Sequence, residues 1–203
     1  MSEIGLELAR QKMAAAGIHP LAIDVFTHYY RQLEKGVSGF IPEDSIEPVL
    51  DPSMLSDTAV SEEDAAAALE KTVIIKLNGG LGTSMGMDKA KSLLPVRQGK
   101  NFLDIIVDQV RHARAAYRIQ LPLLFMNSFR THDDTLAALA PYPDLAVPGL
   151  DLGFMQNQEP KLSADDLTPI TWPADPSLEW CPPGHGDLYT ALTTSGMLDR
   201  LLS

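Results

Sequence analysis

The chain has 203 residues, 45% of them hydrophobic, one cysteine and a formal net charge of −11. That much apolar material can bury a core, which excludes a disordered chain, and the acidity excludes a nucleic-acid scaffold. No apolar run approaches the ~18 residues of a membrane span, the N-terminus is amphipathic and mixed in charge rather than a signal peptide, and the single Cys181 rules out an internal disulfide and suits a cytoplasmic protein.

Residues 4–16 carry a helical pattern stopped by Gly17. Pro20 opens a second helix, because proline suits a first turn. Leu21, Val25, Phe26, Tyr29 and Leu33 recur at helical spacing, which predicts one buried face packed on the main sheet, ending at Gly36. Residues 37–60 hold Pro42, Pro48 and Pro52 among scattered acids and read as an irregular surface connection. Ser61 followed by Glu62, Glu63 and Asp64 is an N-cap with acids in the first turn, a dipole-matched helix start rather than a metal site.

Residues 72–100 are the most informative stretch. Val73, Ile74, Ile75 and Leu77 form a short β-branched run that suits a strand of a covered parallel sheet. Asn78-Gly79-Gly80-Leu81-Gly82-Thr83-Ser84-Met85-Gly86 follows. Glycine is entropically costly, so such a cluster marks unusual dihedrals or close approach of backbone to a ligand. A strand running into a glycine turn leaves amide N–H groups facing outward, an anion cradle suited to polyphosphate. From Lys76 to Lys100 there are five cations (Lys76, Lys89, Lys91, Arg97, Lys100) against Asp88 alone, a local excess of +4 in an acidic chain. No glycine is followed by Lys-Ser or Lys-Thr, so the P-loop pattern is absent, and the dinucleotide pattern fails at its last glycine.

Asn101 with Asp104 reads as a capped helix start, with Leu103, Ile106, Val107 and Val110 facing inward, running to about residue 117. Residues 119–126 read as a second strand, completing a βαβ unit that is right-handed by the usual rule. Asn127 and Ser128 fall at its end, where open α/β sheets place ligands. Thr131-His132-Asp133-Asp134 is a helix start, since three consecutive side chains cannot converge on one ion. Residues 152–156 read as another strand ending in Gln156, and residues 157–180 as a long loop or lid. Trp180-Cys-Pro-Pro-Gly-His-Gly-Asp187 is a rigid loop before a helix beginning at Asp187. On its residues alone, His185 is either a helix-capping or satisfied loop histidine or a fixed functional group. Residues 196–203 start a further helical pattern.

Lys76-Leu-Asn-Gly-Gly-Leu-Gly-Thr83, Met85-Gly86 and Lys91-Ser92 resemble the signature of the eukaryotic-type UTP–glucose-1-phosphate uridylyltransferase family (UDP-glucose pyrophosphorylases). The stretches around Asn127 and Thr131 and the Pro-Pro-Gly-His-Gly-Asp loop are similar too. The resemblance implies a Rossmann-like nucleotide-diphospho-sugar transferase fold, a three-layer α/β/α with a mostly parallel sheet. Residues 1–70 would be an N-terminal helical segment and connection, and residues 71–203 the first part of the α/β domain. It implies the reaction of UTP with glucose 1-phosphate to give UDP-glucose and pyrophosphate, with Mg2+. Leu77, Asn78, Gly79 and Gly80 would line the nucleotide, with loop amides facing the phosphates. Lys91 would be the catalytic lysine, also touching nucleotide. Gln156 would read the uracil edge, and Gly184 and His185 would lie near the base and the sugar phosphate. Lys89 departs from the family, which has small or neutral residues there. The family's metal aspartate, in an Asn-x-Asp-Asn strand, would lie beyond residue 203, leaving no metal ligand within this chain, which would cover less than half of a typical member. A nucleotide-binding fragment that does not turn over, and a pyrophosphorylase for a related sugar 1-phosphate, stay open beside the main reading. So do a partner-binding role for the acidic N-terminal helices and an oligomer.

Overall fold

The protein is described by a computed structural model covering residues 2–37 and 39–203. Its first two helices are α1 (Ser2–Ala15) and α2 (Pro20–Glu34). His19 caps α2 by accepting the Leu21 N–H on Nδ1 at 3.1 Å. The two helices bury Leu6, Ala9 and Met13 against Ile23, Phe26 and Tyr30. This corrects the expected face of α2. Leu21, Tyr29 and Leu33 are exposed, and Ala22, Ile23 and Tyr30 are buried with Phe26 in their place. The cause is the partner. α2 packs on α1 and on Leu162, Leu167 and Trp180 rather than on the central sheet, and that groove selects a face shifted by one residue. Residues 39–60 are irregular and exposed, with single 3-10 turns at Glu43–Ser45 and Leu55–Asp57. α3 (Glu62–Glu70) is capped by Ser61, whose Oγ accepts the Asp64 N–H at 3.0 Å.

β1 (Ile74–Asn78) leads into the glycine loop, after which β2 (Pro95–Arg97) and β3 (Lys100–Asn101) form a short antiparallel ribbon. α4 (Phe102–Tyr117) opens with a reciprocal capping box: Asp104 N–H to Asn101 Oδ1 and Asn101 N–H to Asp104 Oδ2, both 2.9 Å. β4 (Leu123–Asn127) begins later than the apolar run suggests. Ile119 N–H turns back to the Arg114 carbonyl to close α4, and Pro122 has no N–H, although its carbonyl accepts Ile74 N–H at 2.9 Å. α5 (His132–Leu139) and β5 (Gly153–Met155) follow. β1, β4 and β5 form one parallel sheet in that order.

β6 (Glu159–Pro160) and β7 (Trp180–Cys181) pair antiparallel, then α6 (Leu188–Thr194) and α7 (Met197–Leu202) end the chain. The central strand shows why the sheet is apolar throughout. Leu123 and Phe125 of β4 face a cluster with Leu103, Val107 and Val110 of α4 and Leu139 of α5. Leu124 and Met126 face Ala191 of α6 and Met197 of α7. Both faces are covered by helices, a three-layer α/β/α arrangement around a parallel sheet.

Residues 157–181 are not a free lid. Lys12 of α1 donates to the Ile170 carbonyl (2.8 Å) and pairs with Glu179 (2.5 Å), whose other carboxylate oxygen accepts Trp172 N–H (2.6 Å). Tyr30 donates to the Leu167 carbonyl at 3.0 Å. The N-terminal helices therefore pin this excursion. Among the described residues no helix is long and apolar enough to cross a membrane.

Candidate nucleotide site

The parallel register sets Asn78 beside Asn127 and Asn127 beside Met155, so three strands end in one row. Gln156 extends that row, its N–H donating to the Asn127 carbonyl at 2.8 Å. This is the carboxyl edge of the sheet, where chain leaving each strand forms a crevice.

Asn78 is the hub beneath it. Its Nδ2 donates to Asn127 Oδ1 (2.9 Å) and Thr135 Oγ1 (2.8 Å), and its Oδ1 accepts the Ser92 hydroxyl (2.7 Å). The side chain is 5% exposed. Both of its N–H donors and its carbonyl are engaged inside the protein, tying β1 to β4, to α5 and to the segment that carries Lys91. Asn78 borders the crevice while its amide points beneath the loop. Thr131 does not cap α5 forward; its Oγ1 accepts the Ser128 N–H at 2.9 Å and fixes the turn leaving β4.

The glycine loop doubles back on itself. Leu81 bridges Ala90 in antiparallel fashion, Gly82 N–H donates to the Lys89 carbonyl (3.0 Å), and Lys91 N–H donates to the Gly80 carbonyl (3.1 Å). Those bonds, with Ser92 anchored on Asn78, fix Lys91 beside the glycines. Lys91, Leu77, Asn78, Gly80 and His185 line one cavity of about 520 Å³. Among the described residues Lys76, Lys89, Lys91 and Arg97 make no ion pair, whereas Lys100 is paired with Asp108. The positive field of the loop is therefore largely unneutralised. His185 is exposed, and its ring makes no hydrogen bond among the described residues, so it caps nothing.

Gly79 and Gln156 meet. A Cβ on Gly79 would lie 2.1 Å from Gln156 Nε2, so any larger residue there would push the Gln156 amide aside. Gln156 is 7% exposed, and its amide has no hydrogen-bond partner among the described residues. It borders a neighbouring cavity of about 510 Å³ with Phe129, His132 and Asn157. Gly184 adopts φ 108°, ψ −174°, which glycine alone enters readily, and turns the chain so that His185 reaches the Lys91 cavity. The fold thus brings the loop, Lys91 and His185 to one cavity and Gln156 to another that shares no lining residue with it, the two linked by the approach of Gly79 to Gln156; Gly184 lines neither cavity and acts through the turn.

The resemblance did not single out Thr135, Asn157 or Asp187. Asp187, which starts α6, makes no capping bond there. Its carboxylate accepts Asn157 N–H (2.6 Å) and Nδ2 (2.9 and 3.2 Å). Burial pushes its carboxyl up, against the pull of the Asn157 bonds. No sequence-local signal distinguishes this from an ordinary helix cap.

Residues 23–203 match the family model described as UTP–glucose-1-phosphate uridylyltransferase. The chain belongs to that family. It is 35% identical over 207 residues to the UTP–glucose-1-phosphate uridylyltransferase of Solanum tuberosum, spanning 97% of this chain and 43% of the relative. It is 44% identical over 138 residues to that of Hordeum vulgare, spanning 68% of this chain and 29% of the relative. Among solved structures, a UDP-glucose phosphorylase from Trypanosoma brucei superposes with TM-score 0.86 at 41% identity, covering 98% of this chain and 42% of that one. A variant UDP-glucose pyrophosphorylase from Leishmania major in complex with UDP-glucose superposes with TM-score 0.88 at 39% identity, with 98% and 41% coverage. The uridylyltransferase-family chain described here spans about two fifths of the length of these fuller relatives.

Proposed function

We propose that this chain holds the nucleotide in the transfer of a uridylyl group from UTP to glucose 1-phosphate, giving UDP-glucose and pyrophosphate. The observation that carries the reading is Gln156: a nearly buried residue whose amide has no hydrogen-bond partner among the described residues, held against Gly79 beside the phosphate cradle. An amide can donate and accept at once, which is what the edge of uracil requires. Leu77, Gly79 and Gly80 place backbone against the nucleotide, and Asn78 fixes the loop from below.

In the proposed step an oxygen of the sugar phosphate attacks the α-phosphorus in line. The bond from that phosphorus to the bridging oxygen of the β-phosphate breaks, and pyrophosphate leaves with the electron pair. Both reactants are anions, so the work is positioning and charge neutralisation. Lys91, a flexible point charge without an ion pair among the described residues, follows the charge as it shifts from the α- to the β-phosphate. His185, at the rim of the same cavity, faces the sugar phosphate.

We further propose that the nucleotide arrives with Mg2+, which would neutralise polyphosphate charge. No three His, Cys, Asp or Glu side chains converge among the described residues, so the phosphates and water would supply most of the ion's ligands. No step here is routed through the metal. That the chain spans about two fifths of its relatives' length favours a second reading, in which the 203 residues bind nucleotide without turning it over. The single Cys181 and the phosphorylated substrates support a cytoplasmic setting.

Calorimetry of UTP binding with and without Mg2+, beside a pyrophosphate-release assay with glucose 1-phosphate, tests both readings. Binding with turnover supports the first, and binding alone supports the second. A folded chain that binds no UTP would overturn both.

A further inference from the structure

We propose that Asp187 is a positioning residue for base selection: through Asn157 it holds Gln156 against Gly79 and couples the end of β5 to the Gly184–His185 loop. This rests on the reading of Gln156 as the group that meets the base.

Gln156 is followed at once by Asn157, and both hydrogen-bond donors of Asn157, backbone and side chain, end on Asp187. Both carboxylate oxygens are engaged. The Asn157 carbonyl oxygen of the side chain in turn accepts the Thr194 hydroxyl at 3.2 Å, so the network grips α6 at its first and last turns. Asp187 lies two residues after His185 and three after Gly184, and its N–H donates to the Gly184 carbonyl at 3.2 Å. One side chain therefore spans the two segments that carry Gln156 and His185.

The arrangement is costly for a merely structural device. Asp187 is nearly buried, no cation pairs with it among the described residues, and the nearby acid Glu159 carries the same sign. A desolvated carboxylate with hydrogen bonds but no cation is unfavourable. Serine or asparagine would serve as an ordinary helix cap without that burden. What a carboxylate adds is two acceptors in one plane, matched to the two donors of Asn157. With that pair engaged, the Gln156 side chain has its backbone fixed on both sides, by Asn127 before it and Asp187 after it.

The test is the ratio of UTP to CTP affinity, measured by calorimetry on the 203-residue chain below the melting midpoint of each variant. CTP differs from UTP at the edge an amide would read. Asp187→Asn keeps the shape but turns one acceptor into a donor facing Asn157. The wild type should prefer UTP, and Asp187→Asn should shrink that preference by about tenfold or more. Asn157→Ala keeps the backbone bond and should shrink it less, in the same direction; it carries the test if Asp187→Asn does not fold. A folded variant with a lowered midpoint and an unchanged ratio makes Asp187 structural only and overturns the inference alone. A folded wild type that does not distinguish UTP from CTP overturns the reading of Gln156 and this inference with it.

Discussion

Gly79 and Gln156 touch so closely that a methyl group on the former would overlap the amide nitrogen of the latter, at 2.1 Å. The contact joins the turn after β1 to the end of β5, and a side chain at 79 could enter only where the Gln156 amide now sits. Gly79→Ala should therefore displace the Gln156 amide. Because the clash falls on the far end of a flexible side chain, the fold should lose little stability, while the displaced amide should weaken UTP binding by about tenfold or more. Calorimetry on the variant, with its urea midpoint measured alongside, checks both. A variant that binds UTP as the wild type does would show that Gln156 need not sit where it does.

Lys91 is exposed, without an ion pair among the described residues, and lines the cavity shared with His185. Lys91→Ala should lower uridylyl transfer by about 10²–10³-fold, the scale for losing one charge-stabilising group. UTP affinity should fall much less, because the amides of the loop remain. Equal losses in turnover and binding would assign Lys91 to binding only. Where the 203-residue chain does not turn over, the same substitution in a fuller member of the family carries the measurement.

Asn78→Ala should be among the most damaging substitutions here. It strips the Ser92 hydroxyl, Asn127 Oδ1 and Thr135 Oγ1 of a shared partner at a nearly buried site. Leaving buried polar groups unsatisfied costs about 1–3 kcal/mol apiece. Denaturant unfolding should show a midpoint shift of that order with little change in slope, and a shift near zero would mean that water replaces the amide without cost.

Much of this was legible in the sequence because it is local. The Asn101–Asp104 capping box, the Ser61 cap, the β1 run and its glycine turn depend on residues within one turn of each other. The buried face of α2 was not, because its partner, Leu162 to Trp180, lies more than a hundred residues away and selects Tyr30 over Tyr29. The role of Asn78 was only half legible. The motif placed it at the nucleotide, but its three partners come from positions 92, 127 and 135, and only the assembled sheet brings them together. Asp187 reads as a helix cap until Asn157 is seen opposite it.

Glu179 should make the clamp on α1 sensitive to acid. The Lys12 ammonium and the Trp172 N–H hold its carboxyl below the usual glutamate range. A depressed folded pKa contributes stability that is present above the unfolded value and lost as pH falls through the folded one. The wild type should therefore lose stability more steeply than Glu179→Gln on acidification below the ordinary glutamate range. Thermal midpoints of the two proteins across that range check the prediction, and parallel curves would remove Glu179 from the account.

Glu159 should act with the opposite sign. Burial raises its carboxyl first, and the charge of Asp187 raises it further. A group whose folded pKa is raised contributes stability that is fully present below its unfolded value and lost as pH climbs through the folded one. Above that folded pKa the ionised Glu159 is thus a burden on the fold. Glu159→Gln keeps the shape and discards the charge, so it should raise the melting midpoint at neutral pH. The gain should shrink as pH falls toward the ordinary glutamate value, where the wild-type side chain is protonated as well. Midpoints of both proteins from neutral pH down to that value test this. A glutamine variant that is less stable at neutral pH would mean that the Glu159 carboxylate has a favourable partner outweighing its burial.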